Sequence, residues 1–321
     1  MNDPPEEFGP TSDLPPQQAP LTSALPYALA VPPKPPRVWT VFVLYVLCTI
    51  VGLGVGVGAF FVGLVIEQGP DAFRDPSQIE SESMPILALG LAFMALELTL
   101  LGGVIAAALL SPIRFRDRLR LRRSHISVVG YFVMLVGMLA VGQVLESSMA
   151  LLEIEPGTAL EQMNELFASV HGEALAILAL AVGLFAAFGE EFLCRGYIQT
   201  RLSRRWGSLR AVLIASLLFG ILHFDVVHST MAFFIGLYLG FLAERTGSIW
   251  PGIVCHALNN IIAVLLISLC PYALARETHQ NLLIAAVLLL ILSTAYVFVV
   301  TQRLKRSAER PDGIGPAAEQ T

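Results

Sequence analysis

Ionisable residues cluster at the end of one apolar stretch of this 321-residue chain, where Glu190 and Glu191 are followed by Arg195. On a helix, residues four apart lie on one face, so Arg195 can pair with Glu191. Glu190 points about 100° round the helix axis and escapes that pairing. The spacing predicts a structural ion pair between Glu191 and Arg195, with Glu190 left for proton chemistry. The alternative is an ordinary polar helix end at a membrane interface.

Two later apolar stretches each carry a histidine in a motif of the same spacing. Phe219 and His223 are four residues apart, and so are His256 and Asn260. Residues at this spacing share one helix face. A single histidine in such a stretch is usually a satisfied interfacial or core residue, whereas three polar clusters on neighbouring helices predict one site.

The three clusters fall at a similar depth if the helices are joined by short turns. Glu190 and His223 each lie about sixteen residues, or roughly 24 Å, from a turn near Gly207. Asn260 lies about fourteen residues, or roughly 21 Å, from a turn near Thr246. We therefore expect Glu190 and His223 to come within reach of one water, with Asn260 close to their level.

A set of this kind fits hydrolysis of an amide bond. A carboxylate, a histidine and a water form a general base able to attack a carbonyl. A second histidine and an asparagine amide on another helix can donate hydrogen bonds to the oxyanion. Other intramembrane chemistries have less support, because the sequence lacks a GxS serine motif, a pair of aspartates within the apolar stretches and an HExxH zinc helix.

The elements that carry these residues are predicted to be membrane helices. Hydrophobic residues make up 55% of the chain and charged residues 14%, whereas soluble domains have about 25% charged residues. Mean hydropathy is +0.70. Apolar runs recur that can cross a hydrocarbon core of about 30 Å. The composition excludes a soluble enzyme, a nucleic-acid binder, a disordered protein and an outer-membrane barrel, and predicts an all-α polytopic membrane protein.

About eight transmembrane helices are expected. Two glycine pairs within them, Gly54 with Gly58 and Gly236 with Gly240, have the spacing that lets helices approach closely. The predicted spans are 39–66, 85–110, 126–145, 173–197, 209–223, 227–243, 249–270 and 281–301.

Basic and acidic connections alternate along these spans. Arginines and lysines lie before the first span, at 114–123, at 201–210 and after the last span, whereas the connections 67–84 and 146–172 are acidic. Short cytoplasmic loops carry the excess of Lys and Arg. Both termini are therefore expected in the cytoplasm, in a multi-pass protein of the bacterial inner (plasma) membrane.

The chain divides into three predicted regions. Residues 1–37 form a cytoplasmic tail expected to be disordered or polyproline II, because 11 of the 20 prolines fall within the first 36 residues. Residues 38–302 form the eight-helix domain, with the polar clusters inside 173–270. Residues 303–321 form a polar cytoplasmic tail.

The three motifs, in this order on successive helices, resemble the CPBP family. They are Glu-Glu-x-x-x-Arg at 190–195, Phe-x-x-x-His at 219–223 and His-x-x-x-Asn at 256–260. This family is the CAAX protease and bacteriocin-processing (Abi) group of intramembrane endopeptidases, which includes the Ras-converting CAAX endopeptidase. The similarity covers about residues 173–270.

The resemblance implies an intramembrane protease of the family's eight-helix fold. It implies that Glu190 and His223 activate the attacking water, and that His256 and Asn260 form the oxyanion hole. It also implies a glutamate-type mechanism without an obligatory metal, although the family was formerly classed as metallo-type. The implied supporting residues are Glu191, Arg195 and Phe219.

Three other functions stay open. One is a non-catalytic membrane scaffold or bacteriocin-immunity protein of the same fold, which would have no reason to keep all four catalytic residues. Another is a proton-coupled or small-solute transporter, although the two halves show no inverted repeat. The third is a peptidase with zinc held by Glu190, His223 and His256, three ligands that with a water fit a catalytic site.

The partners expected from sequence are the lipid bilayer and a membrane-associated peptide or protein substrate, with no nucleic acid. The cleavage would be either CAAX-type or a peptide-maturation step. No cofactor is expected apart from the zinc of the alternative mechanism. Glu97, in the second span, matches no family motif and is interpreted as a structural or cavity-lining residue.

Overall fold

The computed structural model describes residues 37–69, 85–270 and 274–309, and these residues form helices and no strand. The predicted all-α membrane fold is confirmed. The helices are α1 (Trp39–Gln68), α2 (Ile86–Leu109), α3 (Phe115–Arg118), α4 (Val128–Leu152), α5 (Thr158–Ser169), α6 (Gly172–Glu191), α7 (Thr200–Trp206), α8 (Ser208–Ile221), α9 (Val226–Thr246), α10 (Trp250–Leu269) and α11 (Arg276–Glu309). A π-helical segment, Phe192–Gln199, joins α6 to α7.

Seven of the eight predicted spans are helices long and apolar enough to cross a membrane, among the residues described. The protein is therefore an integral multi-pass membrane protein. The fifth predicted span, 209–223, corresponds to α8, which is apolar but has only 14 residues. At about 1.5 Å per residue it is roughly 21 Å long, short of a hydrocarbon core of about 30 Å.

Several elements extend beyond their predicted bounds. The fourth span continues through the π segment and α7, so that Gly172–Trp206 is one helical run of 35 residues. α4 reaches Leu152 rather than 145, and α11 covers Arg276–Glu309 rather than 281–301. The acidic connection 146–172 contains α5, a helix that no predicted span covers. The Pro-rich tail up to residue 36, most of the acidic connection 67–84, and residues 310–321 lie outside the described residues.

Helix packing brings the predicted clusters to the centre of the protein. α6 packs against α2 and α10, and the π segment packs against α8. The predicted close approach at Gly236 is confirmed, since a Cβ there would lie 3.1 Å from Ser216 Cβ and 3.2 Å from Phe219 Cδ1. The same prediction for Gly54 and Gly58 is wrong, because a Cβ at either would meet no described atom within 4 Å.

Candidate active site

The two adjacent glutamates lie at the junction between α6 and the π segment. Glu190 is 8% exposed and Glu191 is fully buried. The helix changes from α to π directly after them, at Phe192. π-helical turns are rare and occur frequently at functional sites, because they change the direction of the side chains that follow. Two carboxyl groups are thus fixed at a helix irregularity inside the protein.

Glu191 is held by an ion pair within its own helical run. Arg195 Nη1 lies 2.7 Å from Glu191 Oε1, and neither side chain is exposed. Arg195 Nη2 also donates to the Gly236 carbonyl at 3.0 Å. Its guanidinium stacks 4.5 Å from the centre of the Phe219 ring. The predicted pair is therefore in contact, and its arginine also links the π segment to α8 and α9.

His256 lies between the two glutamates. Its Nδ1 is 3.3 Å from Glu191 Oε1, and its Nε2 is 3.5 Å from Glu190 Oε2. Both distances exceed the usual 2.7–3.2 Å of an N–H···O hydrogen bond. The imidazole is 4% exposed and comes from α10, opposite the end of α6. Tertiary packing, rather than sequence proximity, creates this contact.

Phe219 separates the two histidines of the predicted set. Its ring centre is 5.3 Å from that of His223 and 5.7 Å from that of His256, with edge-to-face geometry in both pairs. His223 follows the end of α8, and its Nδ1 lies 3.0 Å from the Phe219 carbonyl. A carbonyl oxygen only accepts, so Nδ1 carries the hydrogen and the Nε2 of the neutral ring keeps a lone pair.

Asn260 lies one turn beyond His256 on α10 and is half-buried. Its Oδ1 accepts a hydrogen bond from Asn259 Nδ2 at 3.3 Å. Among the described residues, this is the one hydrogen bond of the Asn260 side chain. The Asn260 amide nitrogen therefore has both of its hydrogens left to donate. The structure places Glu190, Glu191 and His256 in contact, but shows no contact between Asn260 and either glutamate.

Two residues near the site were not assigned a role in it from sequence. Glu97 on α2 is 2% exposed and lines a small cavity together with Glu190. His228, near the start of α9, has its ring centre 4.3 Å from that of His223. Glu97 is an ionisable residue inside a predicted span. Such residues are costly in a membrane, and this signal could have linked Glu97 to the site. His228 follows Phe224 by four residues, the same spacing as Phe219 and His223, and this spacing could have pointed to it.

The residues of the zinc alternative are not gathered as a ligand set. Across the described part of the chain, no group of three or more His, Cys, Asp or Glu side chains is placed to hold a metal ion. Both ring nitrogens of His256 face carboxylate oxygens of Glu190 and Glu191. Zinc requires three such donors directed at one point. The arrangement of Glu190, His223 and His256 does not fit that requirement.

Residues 172–262 match the family model described as "Type II CAAX prenyl endopeptidase Rce1-like". The resemblance to the CPBP and CAAX protease family is confirmed. This Rce1-like segment begins with α6 and ends within α10, so it contains the glutamates, both histidines of the predicted set and Asn260.

A Bacillus subtilis (strain 168) protein named "Putative membrane peptidase YdiL" is 29% identical to this chain over 94 residues. The alignment covers 29% of this chain and 38% of that relative, so the chain matches well under half of the relative's length. No solved structure matches the chain.

Proposed function

We propose that this chain is an intramembrane endopeptidase that hydrolyses a peptide bond of a membrane-associated protein or peptide. The observation that carries the proposal is the placement of His256 within 3.5 Å of Glu190 and 3.3 Å of Glu191. Inside the segment that matches CAAX endopeptidases, this arrangement places a buried imidazole, a possible oxyanion donor, directly beside the carboxyl group of Glu190, a possible general base. The bond cleaved is either of CAAX type or part of peptide maturation.

In the proposed reaction, Glu190 and His223 activate a water. The water oxygen attacks the carbonyl carbon of the scissile bond, and its proton moves to Glu190 or to Nε2 of His223. The lone pair on that nitrogen follows from the contact of Nδ1 with the Phe219 carbonyl. When the tetrahedral intermediate collapses, the same proton passes to the leaving amine nitrogen, so base and acid are regenerated.

His256 and Asn260 stabilise the oxyanion in this proposal. The contact between His256 Nε2 and Glu190 is longer than a well-formed hydrogen bond, so an N–H there can still turn its hydrogen toward the oxyanion. An imidazolium ring supplies hydrogens at both nitrogens, one toward Glu191 and one toward the substrate. Asn260 adds its amide hydrogens from the next turn of the same helix face.

Glu191 and Arg195 support the site by holding His256. The carboxylate of Glu191 is fixed by Arg195 at 2.7 Å and faces His256 Nδ1 with the same oxygen, Oε1. Phe219 fills the space between the two imidazoles and restricts their rotation. No step of this reaction uses a metal, and the enzyme is of the glutamate type.

Cleavage of membrane-tethered peptides by purified protein tests this function. The peptide set should include prenylated CAAX peptides and unprenylated peptides, because the two substrate classes differ in that group. Glu190→Gln should abolish cleavage, whereas Glu153→Gln is the matched control, since Glu153 lies in a connection with its side chain 84% exposed. Binding of peptides without cleavage by the unaltered protein would favour the scaffold or immunity function instead.

A further inference from the structure

Glu97 is a buried carboxyl group that the proposed mechanism does not use. Its side chain is 2% exposed, and its Oε2 has no hydrogen-bond partner among the described residues. Burying a polar group without a partner is costly, so each such group in a native protein calls for an explanation. α2 packs directly on α6 at this point, because a side chain at Gly189 would collide with Glu97 Oε2. Glu97 therefore lies next to the residue that precedes Glu190.

Glu97 and Glu190 line the same cavity. Its volume is about 30 Å³, which is enough for a water molecule. A buried water needs two or more polar partners, and the two carboxyl groups supply them. Apart from these glutamates and Thr49, the lining is apolar and comes from Leu96, Leu100, Leu222 and Phe224.

We propose that Glu97 is a positioning residue that holds the carboxylate of Glu190 through a bridging water in this cavity. The water donates one hydrogen to a carboxyl oxygen of Glu97 and the other to Glu190, which fixes the orientation of the Glu190 carboxylate beside His256. The catalytic consequence rests on the proposed function, because Glu190 is the base of that reaction. The bridge itself rests on the cavity, the burial of Glu97 and its unpartnered oxygen.

Two substitutions of Glu97 separate a hydrogen-bonding role from simple packing. Glu97→Met keeps the volume but removes the acceptor, and it should lower kcat by about 10–100-fold with KM unchanged, as misplacement of a reacting group does. Glu97→Gln keeps an acceptor oxygen and should restore most of the turnover lost in Glu97→Met. Wild-type kcat in Glu97→Met, or equal losses in both variants, would overturn the proposal.

A second pair of variants leaves Glu97 intact and fills the cavity instead. Thr49 and Thr99 are both half-buried, and each donates to the carbonyl four residues earlier, to Tyr45 at 2.9 Å and to Ala95 at 2.7 Å. Thr49 lines the cavity, whereas Thr99 is not among its lining residues. Thr49→Leu should lower kcat and Thr99→Leu should not. Equal activities would contradict a water bridge, even if Glu97→Met fails to fold.

A double-mutant cycle on thermal unfolding tests the bridge without any turnover. Glu97→Met and Glu190→Met are compared singly and together, in the full-length protein in detergent. If one water joins the two carboxyl groups, removing the second partner should change the unfolding temperature less than removing the first. Additive shifts would overturn the bridge. A wild-type protein that cleaves no peptide would disprove the proposed function and leave this test unaffected.

Discussion

Arg195 and Glu191 form an ion pair at 2.7 Å with neither side chain exposed to solvent. Removing one partner of a buried pair strands the other charge and costs about 3–5 kcal/mol. We therefore expect Arg195→Ala to lower the yield of folded protein and the unfolding temperature, together with activity. Glu190→Gln should abolish turnover and leave the folded yield nearly unchanged, because it keeps the shape and removes the base.

Arg276→Ala is the matched control for this prediction. Arg276 pairs with Glu153 at 3.4 Å, but both side chains are mostly exposed, and such pairs contribute about 0–1 kcal/mol. Thermal unfolding in detergent and recovery after size-exclusion chromatography measure the three variants. Similar losses of folded protein in Arg195→Ala and Glu190→Gln would refute the division between a supporting pair and a catalytic base.

Asn260→Ala should slow turnover with little change in KM. Loss of one oxyanion donor typically lowers kcat by about 10²–10³, because the interaction forms only in the transition state. The neighbouring Asn259→Ala is the control and should have a much smaller effect, since Asn259 donates to Asn260 Oδ1 and leaves the Asn260 amide hydrogens free for the oxyanion. Steady-state kinetics on a cleaved peptide decide between them. A rise in KM with unchanged kcat would place Asn260 in substrate binding instead.

Chelation should leave most of the peptidase activity intact. The expectation follows from the geometry of His256. Its two ring nitrogens face the carboxylates of Glu190 and Glu191, so His256 and His223 are not directed at one metal position. Activity is measured before and after prolonged dialysis against a strong chelator, with the zinc content determined in parallel. Stoichiometric zinc whose removal abolishes activity, and whose re-addition restores it, would establish the zinc mechanism and keep the peptidase assignment.

Reporter fusions test the predicted orientation. Fusions after Arg123 and after Arg205 should report a cytoplasmic location, because both follow arginine-rich connections. A fusion near Glu155, in the acidic connection before α5, should report the opposite side. An external location for the fusion after Arg123 would invert the topology.

Local geometry made part of the site predictable from sequence. The contact between Glu191 and Arg195 depends on one helical run, so the spacing of four residues was sufficient to predict it. The contacts of His256 with the glutamates depend on how α10 is rotated against α6. The spacing within α10 predicted only that His256 shares a helix face with Asn260. The link between Glu97 and Glu190 crosses two helices and required the packing at Gly189.

The helix pattern was predictable, whereas helix ends were not. Apolar runs indicated the seven long helices, because burial in lipid demands continuous hydrophobicity. The π segment at Phe192–Gln199 left no mark in that pattern, since a run of apolar residues does not determine the hydrogen-bond register of the helix. α5 was missed because it is short and polar on one side, and its neighbour Val170 is buried by packing rather than by lipid.

The shortness of α8 has a consequence for the surrounding bilayer. A helix of 14 residues is about 9 Å shorter than the hydrocarbon thickness, which is a hydrophobic mismatch. A bilayer that adapted to α8 would be thinner there, which would bring headgroups and water closer to His223, just after the end of the helix. Local thinning of this kind would bring water toward His223, which is the last residue of the fifth predicted span. The proposed hydrolysis would consume one water per bond cleaved, and the shortness of this one helix would give that water a route.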